Sequence, residues 1–226
     1  MYEYKEMAKY YDIFYSNKLY DKEVKFLIYL ISSKKSILDV GCGTGIHIKL
    51  LEEKGYQVDG LDLNKEMLNI AKGRVSGTLY EGNLLDFKID KKYDVIISMF
   101  AVFNHLKSYE EFEKGIINCL EHLKDKGMLI IDLHNGRTSG KKENKYGNCI
   151  RIMDWNYDEI TSREYTKINY IIDDKSYHDT HEFLIYKIDK IKEILNKYNL
   201  NYRLYENYSF SDANKMSKNI EIVINK

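Results

Sequence analysis

Proline is absent from all 226 residues. Loops and turns must therefore be shaped by glycine, asparagine and aspartate, which tolerate a positive φ or bond their own backbone. Cysteine is scarce: Cys42, Cys119 and Cys149 are odd in number and lack a C-x-x-C spacing. Neither a disulfide framework nor a thiolate zinc site is indicated, and the expected home is the cytoplasm. No apolar run approaches the roughly 18 residues that a membrane span requires. The opening M-Y-E-Y-K-E-M mixes charges and has no apolar signal core. An excess of charge is missing too. Lys plus Arg and Asp plus Glu are 35 each, which argues against a surface built wholly for nucleic acid. Hydrophobic residues at 44% are enough for a sizeable core, and the length suits one domain with a small insertion.

Against this background one stretch organises the chain: S-I-L-D-V-G-C-G-T-G-I-H, Ser36 to His47. Ile37, Leu38 and Val40 form a buried-strand run, Gly41, Gly43 and Gly45 follow, and Ile46, Leu50 and Leu51 begin a helical face. Strand, glycine turn and helix open a nucleotide-binding α/β unit. Bare main chain there lets a ligand approach, and the helix N-terminus adds unpaired N–H groups.

A dinucleotide site wants G-x-G-x-x-G, whereas this chain has D-x-G-x-G-x-G, with Asp39 two residues before the first glycine. That pattern resembles the first motif of class I S-adenosylmethionine-dependent methyltransferases. The resemblance implies a Rossmann-like α/β fold with a seven-stranded sheet, and a cofactor whose amino-acid half lies on Asp39, Gly41, Cys42, Gly43 and Gly45. Without proline, the N-P-P-Y signature of methyltransferases that act on nucleic-acid bases cannot occur.

The chain bears out a layered reading in order. Tyr10, Tyr11, Ile13, Phe14 and Tyr15 make an aromatic knot, and Asp21 to Ser32 has helical spacing. The phrase A-K-Y-Y-D-I-F-Y resembles the opening of small-molecule methyltransferases, which implies a lid that brings Tyr11 to the cofactor. Gln57 to Leu61 is a second strand. Asp62 follows its end about twenty positions after the glycines, where a carboxylate meets ribose hydroxyls. Asn64 is the better cap for the helix from Lys65 to Lys72, which leaves Asp62 for a ligand. Leu63 beside it is a further cofactor candidate. After a third strand, Thr78 to Glu81, Asn83 stands where the family usually places an acid for the adenine amino group, with Leu84 next to it. An amide oxygen still accepts, without charge assistance.

Tyr93 to Ser98 is a central strand leading to Met99 and Phe100, which the resemblance places against the cofactor and the transferred methyl. Asn104 and His105 come next. Tyr109 to Leu123 is an amphipathic helix with Gly127 as its stop, and Met128 to Leu133 is a fifth strand ending in His134. Arg137 to Gly147 reads as a basic loop. Cys149 to Trp155, Arg163 to Ile172 and Tyr177 to Tyr186 read as an antiparallel excursion of two or three strands. A helix, Ile188 to Tyr198, and a final hairpin complete the sheet. The expected units are a lid and helix over 1–35, a core over 36–136 and 187–226, and a substrate cap over 137–186.

Methyl transfer to an amine needs a neutral nucleophile and, where water does not suffice, a base. His134, His105 and Tyr11 are the candidates, with His134 preferred for its place at a strand tip. His178 and His181 could line the cap; H-x-x-H with flanking acids also resembles a metal site, but residues three apart on an expected strand face opposite ways, which speaks against it. The Y-Y-D opening and the D-T-H-E phrase resemble the branch with sugar-nucleotide amine N,N-dimethyltransferases and glycine or sarcosine N-methyltransferases. The expected acceptor is a small polar amine. Alternatives are a protein or RNA acceptor, for which Lys141, Lys142 and Lys145 speak, and an NAD-dependent oxidoreductase. The excursion could also pair two copies in a homodimer.

Overall fold

The computed structural model describes residues 8–33 and 36–226; the charged opening Met1–Met7 lies outside them, as do Lys34 and Lys35. The apolar run after them becomes β1 (Ser36–Val40), whose neighbours are β2 (Gln57–Asp62) on one side and β4 (Tyr93–Ser98) on the other, both parallel. β3 (Leu79–Glu81) pairs with β2, and β5 (Leu123–His134) pairs with β4. The antiparallel pair β10 (Asn201–Glu206) and β11 (Asn219–Asn225) closes the β5 side. The seven-stranded order is β10-β11-β5-β4-β1-β2-β3. The chain moves outward from β1 to β3, then returns to the far side of β1. A crevice is thus left at the carboxyl ends of β1 and β4, where open α/β sheets bind ligands.

Side-chain alternation sends Leu38 and Ile96 to one face and Ile37, Val95 and Ile97 to the other, all fully buried. The first face packs under α5 (Tyr109–Glu121) through Phe112 and Ile116, joined by α6 (Ile188–Lys197). The second packs under α2 (Tyr20–Ile31) and α3 (Ile46–Glu52) through Leu27, Ile31, Ile48 and Leu51. Each such aliphatic side chain contributes about 1.5–3 kcal/mol on burial. α4 (Lys65–Ala71) is capped by Asn64, whose Oδ1 accepts from the N–H groups of Glu66 (2.9 Å) and Met67 (3.3 Å), as the spacing predicts.

A separate antiparallel sheet follows β5: β6 (Gly140–Tyr146), β7 (Cys149–Asp158), β8 (Arg163–Ile172) and β9 (Lys175–Leu184), paired in that order. The excursion therefore has four strands, and the basic stretch read as a loop is the first of them. β6 is an edge strand with Lys141, Glu143 and Lys145 exposed, so it carries no apolar alternation to reveal it. Its signal is the two-residue turn Gly147-Asn148, with Gly147 at φ 59°. A second difference lies at Gly127, which does not stop α5. The helix ends at Glu121; β5 starts at Leu123 and bulges over the next four residues before pairing resumes at Met128. Lys126 has φ 61° there, and a Cβ at Gly127 would lie 2.8 Å from the Lys124 carbonyl oxygen.

Candidate active site

At the end of β1 the N–H groups of Gly41 and Cys42 both donate to the Leu61 carbonyl (2.7 and 3.1 Å), which folds the glycine turn onto the tip of β2. The three glycines answer three different demands. Gly41 has φ 78°, and an added Cβ would lie 2.5 Å from a Val102 methyl. Gly45 has φ 78° and its Cβ would meet Val75 at 2.9 Å and Ala71 at 3.2 Å, so it lets α3 approach α4. Gly43 has φ 55° and nothing within 4 Å of where a Cβ would stand. Among the described residues Gly43 alone of the three turns bare main chain toward open space. Cys42 between them is buried, and burial pushes its thiol far up, which keeps it inert.

Asp62 is engaged rather than idle. Its Oδ2 accepts from Gly43 N–H (2.7 Å) and its Oδ1 from Asn64 N–H (2.7 Å). Each oxygen keeps a further lone pair for a ligand. Burial raises its pKa, opposed by these backbone donors and that of Leu63. Asp39 is 1% exposed and neither of its oxygens has a hydrogen-bond partner among the described residues. Burial first, then the neighbouring charges of Asp62 and Asp132, push it up to about 7, against the lowering pull of His47 and Lys18.

The aromatic knot lies over this turn as α1 (Tyr11–Phe14) and is latched to it by Asp12. The Thr44 hydroxyl donates to Asp12 Oδ1 (2.6 Å), Arg74 pairs with Asp12 Oδ2, and Arg74 Nη1 donates to the Thr44 carbonyl (2.7 Å). The Tyr11 ring packs tilted against Tyr15 (centroids 4.6 Å), and it is Tyr15 that meets Phe100 edge-on at 4.9 Å. The other expected contacts are spread around the crevice. Leu63 is 69% exposed beside Asp62. Asn83 Oδ1 accepts from Leu85 N–H (2.9 Å) in a turn, and Leu84 points into the core against α5. Met99 is buried at the end of β4.

Phe100 and Ala101 have φ of 69° and 60°, a costly conformation for residues with a Cβ. Buried Asp132 holds it: its Oδ1 accepts from Ala101 N–H at 2.7 Å while Tyr208 donates to Oδ2. A short 3-10 turn, Val102–His105, follows. Asn104 within it is fully buried and accepts from His134 N–H while donating to the His134 and Leu184 carbonyls. The ends of β5 and β9 are thereby fixed to the turn, and His105 and His134 are brought to one cleft.

His134 Nε2 meets Glu164 Oε2 at 3.1 Å, and Gly136 leaves room for the ring, since a Cβ there would stand 2.6 Å from it. His105 packs edge-on against Phe183 (4.7 Å) and near His181 (5.7 Å), which is bonded to Asp179 at 3.0 Å. Enclosure by these groups, then the neighbouring imidazole, lowers His105 to about 4 against the opposing charge of Asp179. His178 is exposed and His181 half-buried, on opposite faces of β9. Tyr11, by contrast, is on the lid side with the glycine turn. Asp12, Tyr15, Arg74, Glu164 and Asp179 are members of the site that the sequence did not single out. Asp12, in the Y-Y-D phrase, and Asp179, in the D-T-H-E phrase, carry a signal; Glu164 needs the register of the second sheet.

Residues 37–127 match the family model described as a methyltransferase domain. This segment is a methyltransferase domain. Over the whole length the fold is that of the class I methyltransferases. A crystal structure of an S-adenosylmethionine-dependent methyltransferase from Clostridium acetobutylicum superposes with a TM-score of 0.84 at 20% identity, over 98% of each chain. That of CalS10, an amino pentose methyltransferase from Micromonospora echinaspora bound to S-adenosylmethionine, gives 0.74 at 15% identity over 92% of this chain and 90% of that one. Among curated proteins, a dTDP-3-amino-3,4,6-trideoxy-alpha-D-glucopyranose N,N-dimethyltransferase from Streptomyces venezuelae is 33% identical over 139 residues, 58% of each chain. The chain spans about half the length of curated relatives such as this one.

The glycine turn and its neighbours leave three groups open to a ligand. Gly43 leaves open space along its main chain, Asp62 has acceptor capacity at the strand tip, and the Asp39 carboxylate is buried without a partner. An unpartnered buried carboxylate costs several kcal/mol, which a cation or a hydrogen-bond donor beside it would relieve. Among the described residues no helix is long and apolar enough to cross a membrane.

Proposed function

We propose that this chain transfers a methyl group from S-adenosylmethionine to an amine on a small polar acceptor, a nucleotide-linked sugar or a related metabolite. The observation that carries the reading is Gly43, whose bare main chain faces open space and is tied to Asp62. In this reading Gly43 backs the methionine and ribose part, Asp62 takes the ribose hydroxyls, and Asp39 favours the amino end. Tyr11 and Tyr15 close over them from the lid. The cofactor supplies a methyl carbon already activated by the sulfonium.

The rest falls to positioning. Phe100 and Met99 wall the cleft on one side, and the second sheet covers it on the other, which excludes water and fixes the angle of attack. The acceptor amine must be neutral when it attacks. His105 is held neutral by its surroundings, so its ring nitrogen can accept a hydrogen bond from that amine at physiological pH. His134 is oriented by Glu164 through Nε2, which leaves Nδ1 as its other contact point. Asp179 and Glu164 supply negative charge that draws an amine to the cleft. Support for a sugar-linked acceptor comes from the relatives: one is an amino-sugar dimethyltransferase by name, while another is a glycine/sarcosine/dimethylglycine N-methyltransferase at 32% identity over 52% of this chain.

The test is a methyl-transfer assay with isotopically labelled S-adenosylmethionine against amino-sugar nucleotides, glycine, sarcosine and bulk tRNA, with mass identification of the product. Label in an amino-sugar nucleotide supports the reading. Label only in tRNA, or none in any acceptor despite cofactor binding, would overturn it.

A further inference from the structure

The second sheet holds a buried cation that the methyl-transfer chemistry does not use. Arg151 on β7 is 7% exposed, yet its Nε and Nη1 are buried with no hydrogen-bond partner among the described residues. Nη2 donates to the Tyr146 hydroxyl at a long 3.3 Å, and the guanidinium also interacts with the Tyr15 hydroxyl, whose pKa burial raises and this cation lowers. The guanidinium lies over the Tyr15 ring (4.6 Å) and near that of Tyr146 (5.8 Å). Among the described residues it has no ion pair. The carboxylates that share its sheet face are committed elsewhere, Asp179 to His181 and Glu164 to His134. Stacking on aromatic rings recovers only part of the cost of burying an unpaired charge.

Register puts this cation on the face that looks into the cleft. Arg151 pairs with Tyr170 on β8, and Thr166, four residues along β8, pairs with His181 on β9. Four residues of strand span about 13 Å. The cation and the histidines thus stand at opposite ends of one face, a separation that suits an acceptor with an amine at one end and an oxyanion at the other. Tyr15 lies between Arg151 and Phe100, so it links the cation to the turn after β4. Across β6 the register partner Asn144 also has a buried side-chain oxygen without a partner. Rotating that amide would present two N–H donors to the same ligand.

We infer that Arg151 is the anchor for an anionic group of the acceptor, a phosphate or a carboxylate, held under the lid while the amine faces His105. This rests on the methyl-transfer reading, and its test is separable from it. Calorimetry on the full chain, with and without S-adenosylhomocysteine, would use inorganic pyrophosphate, thymidine diphosphate and glycine as probes. Binding of pyrophosphate and thymidine diphosphate that weakens about thirtyfold or more in Arg151→Gln, with Arg151→Lys between, supports a phosphate anchor. Binding of glycine alone, weakened in the same way, supports a carboxylate anchor. Affinities unchanged in Arg151→Gln, or no anion bound by a protein that binds S-adenosylhomocysteine, would overturn the inference. Should Arg151→Gln fail to fold, hydrogen exchange on the wild type decides: the anion that binds should slow exchange in β7 around Arg151 and β8 around Tyr170, and unchanged exchange there is the contrary result. A protein that binds the anions through Arg151 but not S-adenosylhomocysteine would overturn the methyl-transfer reading and leave the anchor standing.

Discussion

Asn104 grips both polar groups of the His134 backbone: its Oδ1 accepts from the N–H at 2.9 Å and its Nδ2 donates to the carbonyl at 3.0 Å. A third bond, to the Leu184 carbonyl at 2.7 Å, ties in the end of the second sheet. Asn104→Ala would leave these buried groups unsatisfied at a cost of about 2–4 kcal/mol. Thermal denaturation should show a fall in Tm of several degrees. In the surviving folded protein kcat should fall more than cofactor affinity, because the histidines lose their register while the glycine turn does not. Equal losses in both would show that the clamp serves stability alone.

The glycines predict a contrast. Gly43→Ala adds a methyl group where nothing stands within 4 Å, so the fold should survive with about 1–2 kcal/mol of backbone strain while cofactor binding drops sharply. Gly41→Ala drives its Cβ into Val102 and should damage the fold itself. Combining Gly41→Ala with Val102→Ala should recover part of that loss. Tm and S-adenosylhomocysteine titration on the four proteins check both statements.

Asp39 and Glu221 set the pH dependence of the ligand-free protein. Both are raised in the fold, to about 7 and about 8, by burial foremost. A raised acid binds more protons folded than unfolded, so stability falls as pH climbs from the unfolded value near 4 through the folded one. Below about pH 6.5 the lowered His105 works in the opposite direction, so the decline in Tm of the free protein should fall between about pH 6.5 and 8, and Asp39→Asn should flatten the lower part of that decline. A cationic ligand group at Asp39 favours the ionised form, so cofactor affinity should rise over the same interval. Stability that increases steadily from about pH 6.5 to 8 would contradict this placement of the charges.

His105 should leave no inflection near 6.5 in the rate profile, because it is already neutral well below that. The acid limb of kcat/KM should instead follow the pKa of the acceptor amine and shift when the acceptor is changed. His105→Gln should lower kcat about 10²-fold if the ring takes the proton. A limb fixed near 6.5 for all acceptors would assign the titration to the enzyme.

Much of this architecture was legible beforehand, and for local reasons. Strand runs such as Tyr93 to Ser98 and the helical face of α5 are set by burial, so they announce themselves in the pattern of apolar residues. The glycine turn and Asp62 are legible because few residue types can do what they do. Edge strand β6 is hidden in the sequence because its pairing needs only main chain, and Gly127 reads as a helix stop because a bulge and a helix stop ask for the same residue. Tyr15, Glu164 and Arg151 could not be singled out, since their meaning comes from which strand lies beside which. The second sheet's register brings Glu164 to His134, thirty positions away in the chain.

A crystal structure grown with S-adenosylhomocysteine tests the central claim most directly. The account predicts the amino-acid half lying along the main chain of Gly43, with both ribose hydroxyls on Asp62 and the lid tyrosines over the bound molecule. Density for the ligand elsewhere, or Gly43 and Asp62 left untouched in a fully loaded protein, would contradict it.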